Sequence, residues 1–596
     1  MILAALAVFV AAAVPRSLWA ACRLVKFAEL PVTMAGLAPL IRAKIDGADA
    51  KLIADSGAFF SLLTPQSAAR LGLALHAPPS GLSVSGVNGK IDIKVARARR
   101  FDILGTHFDN ADFVVGGPPL AGGADGLLGQ NMLNANDAEY DLADGVIRLF
   151  RPEDCKGAML AYWAQGKPFS TTSIEPKSRG HGAIVGTGAV NGIRIRIAFD
   201  TGAARSILTA NAARRAGVER DQAGVRAGGI AGGLGRRGVD TWIAPIASFR
   251  IGDEEIKNTS LRVGAIDLQD ADMLIGADFF LSHRIYVANS QRKLYFTYNG
   301  GPVFRLDRAQ PEARGAEASA APLAGAPGEA PEEPKDAAGF SRRGAALAAR
   351  RELVPAIAAF TRAIELEPNN PKHFYDRAIA RLRNRQPALG MEDLDQALKL
   401  APNDAQALLA RGQLRLGEKD AADARVDFEA AARVNPNLHR AIAEAYLRAE
   451  MFPEAIGHLD PWIAAHSARS VALAESLSNR CWARAAWGRE LDKALDDCNS
   501  ALRISPRTSA ILDNRGLVYL RRGDFRRAVK DYNSALKAQP RQAWTLYCRS
   551  LAERGAGDAA KAEADAKAAL AINPNVARRA KRLGLTADAA PQGATR

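Results

Sequence analysis

The sequence predicts a multidomain chain: two all-β lobes built on one plan, then an all-α solenoid of paired helices. Three observations predict it. A β-rich pattern occurs twice, around Asp55 and around Asp200; prolines recur every 34 residues in the C-terminal half; and a segment almost devoid of large apolar residues separates the two kinds of sequence. At 596 residues the chain is too long for one domain, and 48% apolar against 24% charged residues is enough to build buried cores.

The chain opens on ILAALAVFVAAAV, an uncharged apolar run, followed by PRSLWAAC with small residues at Ala20 and Ala21. The run is too short for a bilayer core, which needs about 20 residues, and reads as the apolar region of a secretory signal over residues 1–21. A buried first strand is the alternative. The signal predicts export to a periplasmic or extracellular compartment, and no other run predicts a membrane span.

Residues 22–158 and 159–304 form the two predicted β lobes. In AKLIADSGAFFSLLT and RIRIAFDTGAARSILT an apolar strand runs into Asp-Ser/Thr-Gly-Ala, a serine (Ser61, Ser206) lies six residues beyond the aspartate, and a short helix rich in alanine and arginine follows. Each copy then has a glycine-bearing hairpin tip, SGVNGK or GGIAGGLG. Two apolar residues and a glycine come next, Leu127-Leu128-Gly129 or Leu274-Ile275-Gly276, and each copy closes on a strand pair. A bare D-[ST]-G is expected by chance roughly 0.3 times in such a chain. Two copies in matching contexts are therefore a duplicated lobe rather than a coincidence.

These residues resemble the retropepsin-like aspartic proteases, over roughly residues 25–300. The resemblance implies two lobes forming a pseudo-dimer, with Asp55 and Asp200 as the catalytic pair. It implies Ser56, Gly57, Ala58, Thr201, Gly202 and Ala203 as supports of the aspartate loops, and Gly86, Val87, Gly89, Gly229, Ile230 and Gly232 as flap residues over the substrate. No cofactor and no metal are implied. Two carboxylates about 3 Å apart cannot both ionise easily and so share a proton, one drawing a proton from water while the other donates to the scissile carbonyl. The expected function is an aspartic endopeptidase that holds a peptide or protein substrate as an extended strand. A non-catalytic peptide-binding scaffold, and an enzyme whose aspartates pair between chains, are the alternatives. Retroviral members carry Arg-Asn after the supporting glycine, whereas this chain has Gln130-Asn131 in one lobe and Ala277-Asp278 in the other. Phe59 and Phe60 add bulk beside Asp55, and at strand spacing one of them is expected in the core.

Residues 305–336 are rich in Ala, Pro, Glu and Gly, as a flexible linker requires. Beyond them Pro368, Pro402 and Pro436, and again Pro506, Pro540 and Pro574, stand 34 residues apart. This is the tetratricopeptide-repeat period. Gly344, Gly412 and Gly516 fall at the same place of their repeats, as do Phe360, Phe428 and Tyr532. Small residues let paired helices approach, the large one fills the seam, and proline stops the second helix. About seven pairs are expected over 337–580, offering a surface to a protein partner, with a tail at 581–596.

The net charge of +15 is dispersed, with no aromatic-interleaved basic stripe, so nucleic acid is not an expected partner. None of the five cysteines forms C-x-x-C and the eight histidines are scattered, which leaves metal chemistry without support. Cys22 and Cys155 bracket the first lobe and suit a disulfide after export; for Cys481 and Cys498, on facing helices, a disulfide and two reduced core thiols stay open. The GLGRRG string at 233–238 fits a dinucleotide fingerprint, but strand-like sequence follows it, so a hairpin tip is the better reading.

Overall fold

The computed structural model describes residues 22–86, 89–133, 137–164, 166, 168–175, 183–232, 239–268, 271–304, 333–466, 470–506 and 508–586. The expected signal segment, Val87, the 233–238 string and most of the linker lie outside these residues.

Each β lobe closes on itself. In the first, Ala38–Ile45, Ala48–Ala54, Gly126–Leu128, Leu62–Leu63, Thr106–Gly116 and Ile93–Ile103 are neighbours in that order, and the last pairs back with the first. In the second, Ile184–Val190, Ile193–Phe199, Met273–Ile275, Ile207–Thr209, Glu254–Gly264 and Val239–Ile251 repeat the circuit and its closure. Closure leaves few open edges, and alternating inward residues such as Ile41, Leu52, Phe101 and Phe113 fill the first lobe.

A six-stranded sheet joins the lobes, running Arg23–Pro31, Val146–Glu153, Asp137–Asp141, His283–Ala288, Lys293–Tyr298 and Ser170–Ser173. The lobes meet where Glu139 pairs with Tyr286 and Tyr140 with Ile285. The Cys22–Cys155 disulfide staples the first strand of this sheet to the end of its neighbour, where Arg23 is in register with Glu153. A second disulfide, Cys481–Cys498, ties two helices of the C-terminal half. Removing Cys155 (Cys155→Ala) should lower the stability of the lobes by about 2–5 kcal/mol, measured by urea unfolding with the other bridge intact. Equal unfolding midpoints for the two proteins would contradict this.

The helical half consists of seven antiparallel pairs from Ala337 to Ile572 and a last short helix, Val576–Arg582. Its repeat chemistry is visible in contact. A Cβ on Gly344, Gly412 or Gly516 would stand 2.7 Å from the ring of Phe360, Phe428 or Tyr532, so only glycine lets the pair close. The residues before the repeat prolines leave helical geometry, as at Ala401 (φ −137°, ψ 82°) ahead of Pro402, because the proline ring excludes it. Between the helices of a pair an arginine grips a buried aspartate with two hydrogen bonds: Arg377 on Asp393, Arg411 on Asp427, Arg480 on Asp497, Arg515 on Asp531, Arg549 on Asp565. Several of the same arginines reach back to the preceding pair, Arg411 to Asp395 and Arg515 to Asn499, so one side chain locks a pair and its stacking together.

The solenoid is docked on the lobes. Ala346 and Ala349 of its first helix, Ala337–Ala349, share a core with Leu30, Val32 and Phe304, and Arg350 donates to the carbonyl of Asn299 at 3.0 Å.

Candidate active site

The two aspartates sit where paired strands end. Gly126–Leu128 runs parallel to Ala48–Ala54, so the carbonyl of Leu128 accepts from the amide of Asp55 at 3.0 Å; in the other lobe Ile275 does the same for Asp200 at 2.8 Å. The apolar-apolar-glycine turns thereby fix where each aspartate leaves its strand. Ser61 and Ser206 hold the turns: each hydroxyl accepts from the amide of Gly129 or Gly276 at 3.1 Å, and each donates to Asn131 or Asp278 at 2.9 and 2.7 Å. Asn131 and Asp278 thus do one job in the two lobes. Gln130 has no counterpart in Ala277, because its side-chain amide donates to the carbonyl of Ser56.

The loops brace each other across the lobes. The amide of Ser56 donates to Thr201 Oγ1 and the amide of Thr201 to Ser56 Oγ, both at 3.0 Å. The hydroxyls continue across, Ser56 to the carbonyl of Phe199 at 3.2 Å and Thr201 to that of Ala54 at 2.7 Å. All four groups are buried, so each bond left unmade would cost the desolvation of its donor.

This clasp brings Asp55 and Asp200 into hydrogen-bonding contact. Asp55 Oδ1 accepts from the amides of Gly57 at 2.9 Å and Ala58 at 2.7 Å; Asp200 Oδ1 accepts from Gly202 at 2.8 Å and Ala203 at 3.2 Å. A Cβ on Gly57 would lie 2.4 Å from Asp200 Cγ, and one on Gly202 would lie 2.3 Å from Asp55 Cγ. Each glycine is therefore the floor under the opposite carboxylate. Burial, followed by the charge of Asp200, pushes the Asp55 carboxyl well above the usual aspartate range; burial also raises Asp200, against the pull of its hydrogen bonds. Tyr140 lies buried near the pair, its phenol raised by burial and by both carboxylates.

The hairpins are placed less completely. Gly86 pairs with Gly89 as the last rung of a two-strand ribbon, and Val87 lies outside the described residues. In the second lobe Ile230 pairs with Asp240, and the carbonyl of Gly229 accepts from Thr241 Oγ1 at 2.7 Å; Gly232 stands in open space. Asp240 also touches the solenoid, accepting from Ser509 at 3.5 Å, at the start of a helix whose own N-cap, Thr508, makes no side-chain cap bond. Phe59 and Phe60 are both partly exposed and meet edge to face at 4.5 Å. The expectation that one would enter the core fails because they lie in the loop after Asp55, not in a strand.

A charged group between the lobes escaped the sequence reading. Glu139, fully buried, accepts from Arg148 at 2.5 Å and from Arg284 at 2.9 Å, and Arg284 lies 4.7 Å above the ring of Trp163. Asp141 beside them is pushed up to about 6, by burial first and by Asp144 second. Glu139 and Arg284 stand at corresponding places of the two lobes, 145 residues apart like Ser56 and Thr201, so the signal was a charge reversal between the copies.

All three raised carboxyls give stability a common sign. Each binds its proton more tightly folded than unfolded, so its contribution is full below about pH 4 and is lost as pH rises through the folded pKa. The lobes should therefore melt higher at pH 4.5 than at pH 7.5, as scanning calorimetry would show; an opposite slope would contradict the burial of these groups.

Family comparisons agree with this geometry. Residues 41–132 match the aspartyl protease family model and 186–282 the gag-polyprotein putative aspartyl protease model; 509–542 match the tetratricopeptide repeat. No curated protein matches the chain. Among solved structures the chain is similar to a tetratricopeptide repeat protein from Parabacteroides merdae, at 16% identity over 42% of this chain and 98% of that one, TM-score 0.34. It is similar also to the C-terminal part of a TPR repeat-containing protein from Cytophaga hutchinsonii, at 15% identity over 41% and 98%, TM-score 0.32. Against the Cut9–Hcn1 hetero-tetramer it shows 15% identity over 37% of this chain and only 43% of that one, TM-score 0.31.

Proposed function

Since the chain carries two aspartyl-protease lobes and a tetratricopeptide-repeat solenoid, we propose that it is an exported aspartic endopeptidase whose active site is completed within one chain. The observation that carries the reading is the contact of Asp55 with Asp200, each held by two backbone amides and floored by the other lobe's glycine. The pair holds one proton. Its ionised carboxylate takes a proton from a water, the water oxygen bonds to the scissile carbonyl carbon, and the protonated partner gives its proton to the carbonyl oxygen. Collapse of the tetrahedral species returns a proton to the leaving amine and breaks the C–N bond. The substrate lies as an extended strand between the pair and the hairpins, and the solenoid recruits a protein partner. Two disulfides support export, since such bonds persist in oxidising compartments.

The test is cleavage of a mixed peptide library between pH 3 and pH 8, with and without a pepstatin-type inhibitor. Inhibitable cleavage is expected, declining at the alkaline end as the shared proton is lost. If wild type is inert at every pH but binds library peptides, the chain is a peptide-binding scaffold and not a protease.

A further inference from the structure

The last helix does not simply continue the stack. Val576–Arg582 and the residues up to Leu585 reach back across the first helices of several earlier pairs. Arg579 donates to Glu450 at 3.2 Å and Arg582 to the same carboxylate at 3.2 Å, although Glu450 precedes them by 129 and 132 residues. The Arg579 guanidinium also lies 5.5 Å from the ring of Trp482 and 5.0 Å from that of Trp544, two indoles stacked in parallel. Ala580, Leu583 and Leu585 are buried in one cluster with Ala485, Ala486, Val518 and Cys548. Arg521, itself buried, donates to the carbonyls of Ala485 and Ala486 at 3.1 Å, to that of Gly584 at 3.4 Å and to that of Leu583. One guanidinium thus closes the C-terminal end of helix Val471–Trp487 and the end of the last helix together, where the helix dipoles favour a cation.

A segment of ten residues can touch the first helices of pairs four to seven at once only if that face curves inward around it. The face offers an acidic spot, an aromatic pair, an apolar floor and a donor for backbone carbonyls. We propose that residues 576–585 are a built-in occupant of the solenoid's inner face, and that this face takes in their place a basic, leucine-bearing peptide segment of a protein partner. The chemistry of the occupant defines the chemistry of the partner: arginines one turn apart for Glu450 and the indoles, then leucines for the floor. Partner binding must first displace the segment, so its apparent affinity falls by the fraction of chains in which the face is open. The inference concerns the solenoid alone and stands whether or not the lobes cut peptides.

The experiment uses the full chain and a fluorescein-labelled peptide of residues 575–586, NVARRAKRLGLT, followed by fluorescence anisotropy. Leu583→Asp with Leu585→Asp should release the internal segment. So should Arg579→Glu with Arg582→Glu, a change confined to partly exposed side chains and therefore safe for folding. Either double variant should bind the peptide at least about tenfold more tightly than wild type, the ratio for a segment docked in nine chains of ten. Adding Glu450→Arg to the second variant should remove that binding. Equal affinity for wild type and both variants, no binding by a variant of native helicity, or indifference to Glu450→Arg would each overturn the proposal.

Discussion

Asp55→Asn, and separately Asp200→Asn, should lower kcat on any cleaved peptide by about 10³-fold or more while peptide binding survives. The two residues cannot substitute for each other. One carboxylate without the other offers either a base with no acid or an acid with no base, and an amide supplies neither the proton nor the charge. The variants should nevertheless fold. Asparagine has the size of aspartate, and its side-chain oxygen can still accept from the amides of Gly57 and Ala58, or of Gly202 and Ala203, that hold the native carboxylates. They should also lose less stability than wild type between about pH 4 and neutrality, because one raised carboxyl no longer has to ionise in a buried place. Peptidase assays paired with calorimetry at two pH values separate this outcome from simple unfolding. A variant that unfolds at all pH values, or one that keeps a tenth of the activity, would contradict the assignment.

The second large effect is expected at the seam between the lobes. Arg284→Ala should destabilise the protein by about 3–5 kcal/mol, because Glu139 has no exposure and loses one of two cations. Arg284→Lys should recover little of this, since an ammonium lacks the planar fork and the stacking over Trp163. The exposed pair Arg97 and Asp112 provides the control, and Arg97→Ala should leave the urea midpoint unchanged. If Arg284→Ala behaves like Arg97→Ala, the buried group does not hold the lobes together.

What was legible in the sequence followed from duplication and period. Asp55 alone could have been a turn residue. Read beside Asp200, with Ser61 and Ser206 in register, it became half of a pair, and the structure shows why the register is kept: those serines hold the turns that fix both aspartates. The repeat prolines and glycines were legible for the same reason, each serving one local need every 34 residues. Contacts that depend on how the copies are laid against each other were not legible. Nothing adjacent to Glu139 announces that Arg284 will face it, since that requires the register of a sheet built from both lobes. The arginine ladder could have been read, as Arg377, Arg411, Arg515 and Arg549 share a repeat place, each 16 residues ahead of its aspartate. The path of the last helix could not. The period predicts where a helix lies in the stack, whereas its contact with Glu450 depends on the curvature of four pairs together.

The central claim is that one chain assembles a complete pair of aspartates from its two lobes. It is tested most directly by mixing Asp55→Asn protein with Asp200→Asn protein, unfolding and refolding them together, and assaying the mixture on a peptide that wild type cleaves. The account predicts an active wild type and a mixture as inactive as either variant, since every chain carries one broken pair. Activity restored by mixing would place the pair between chains, and a wild type inert from pH 3 to pH 8 would contradict the account itself.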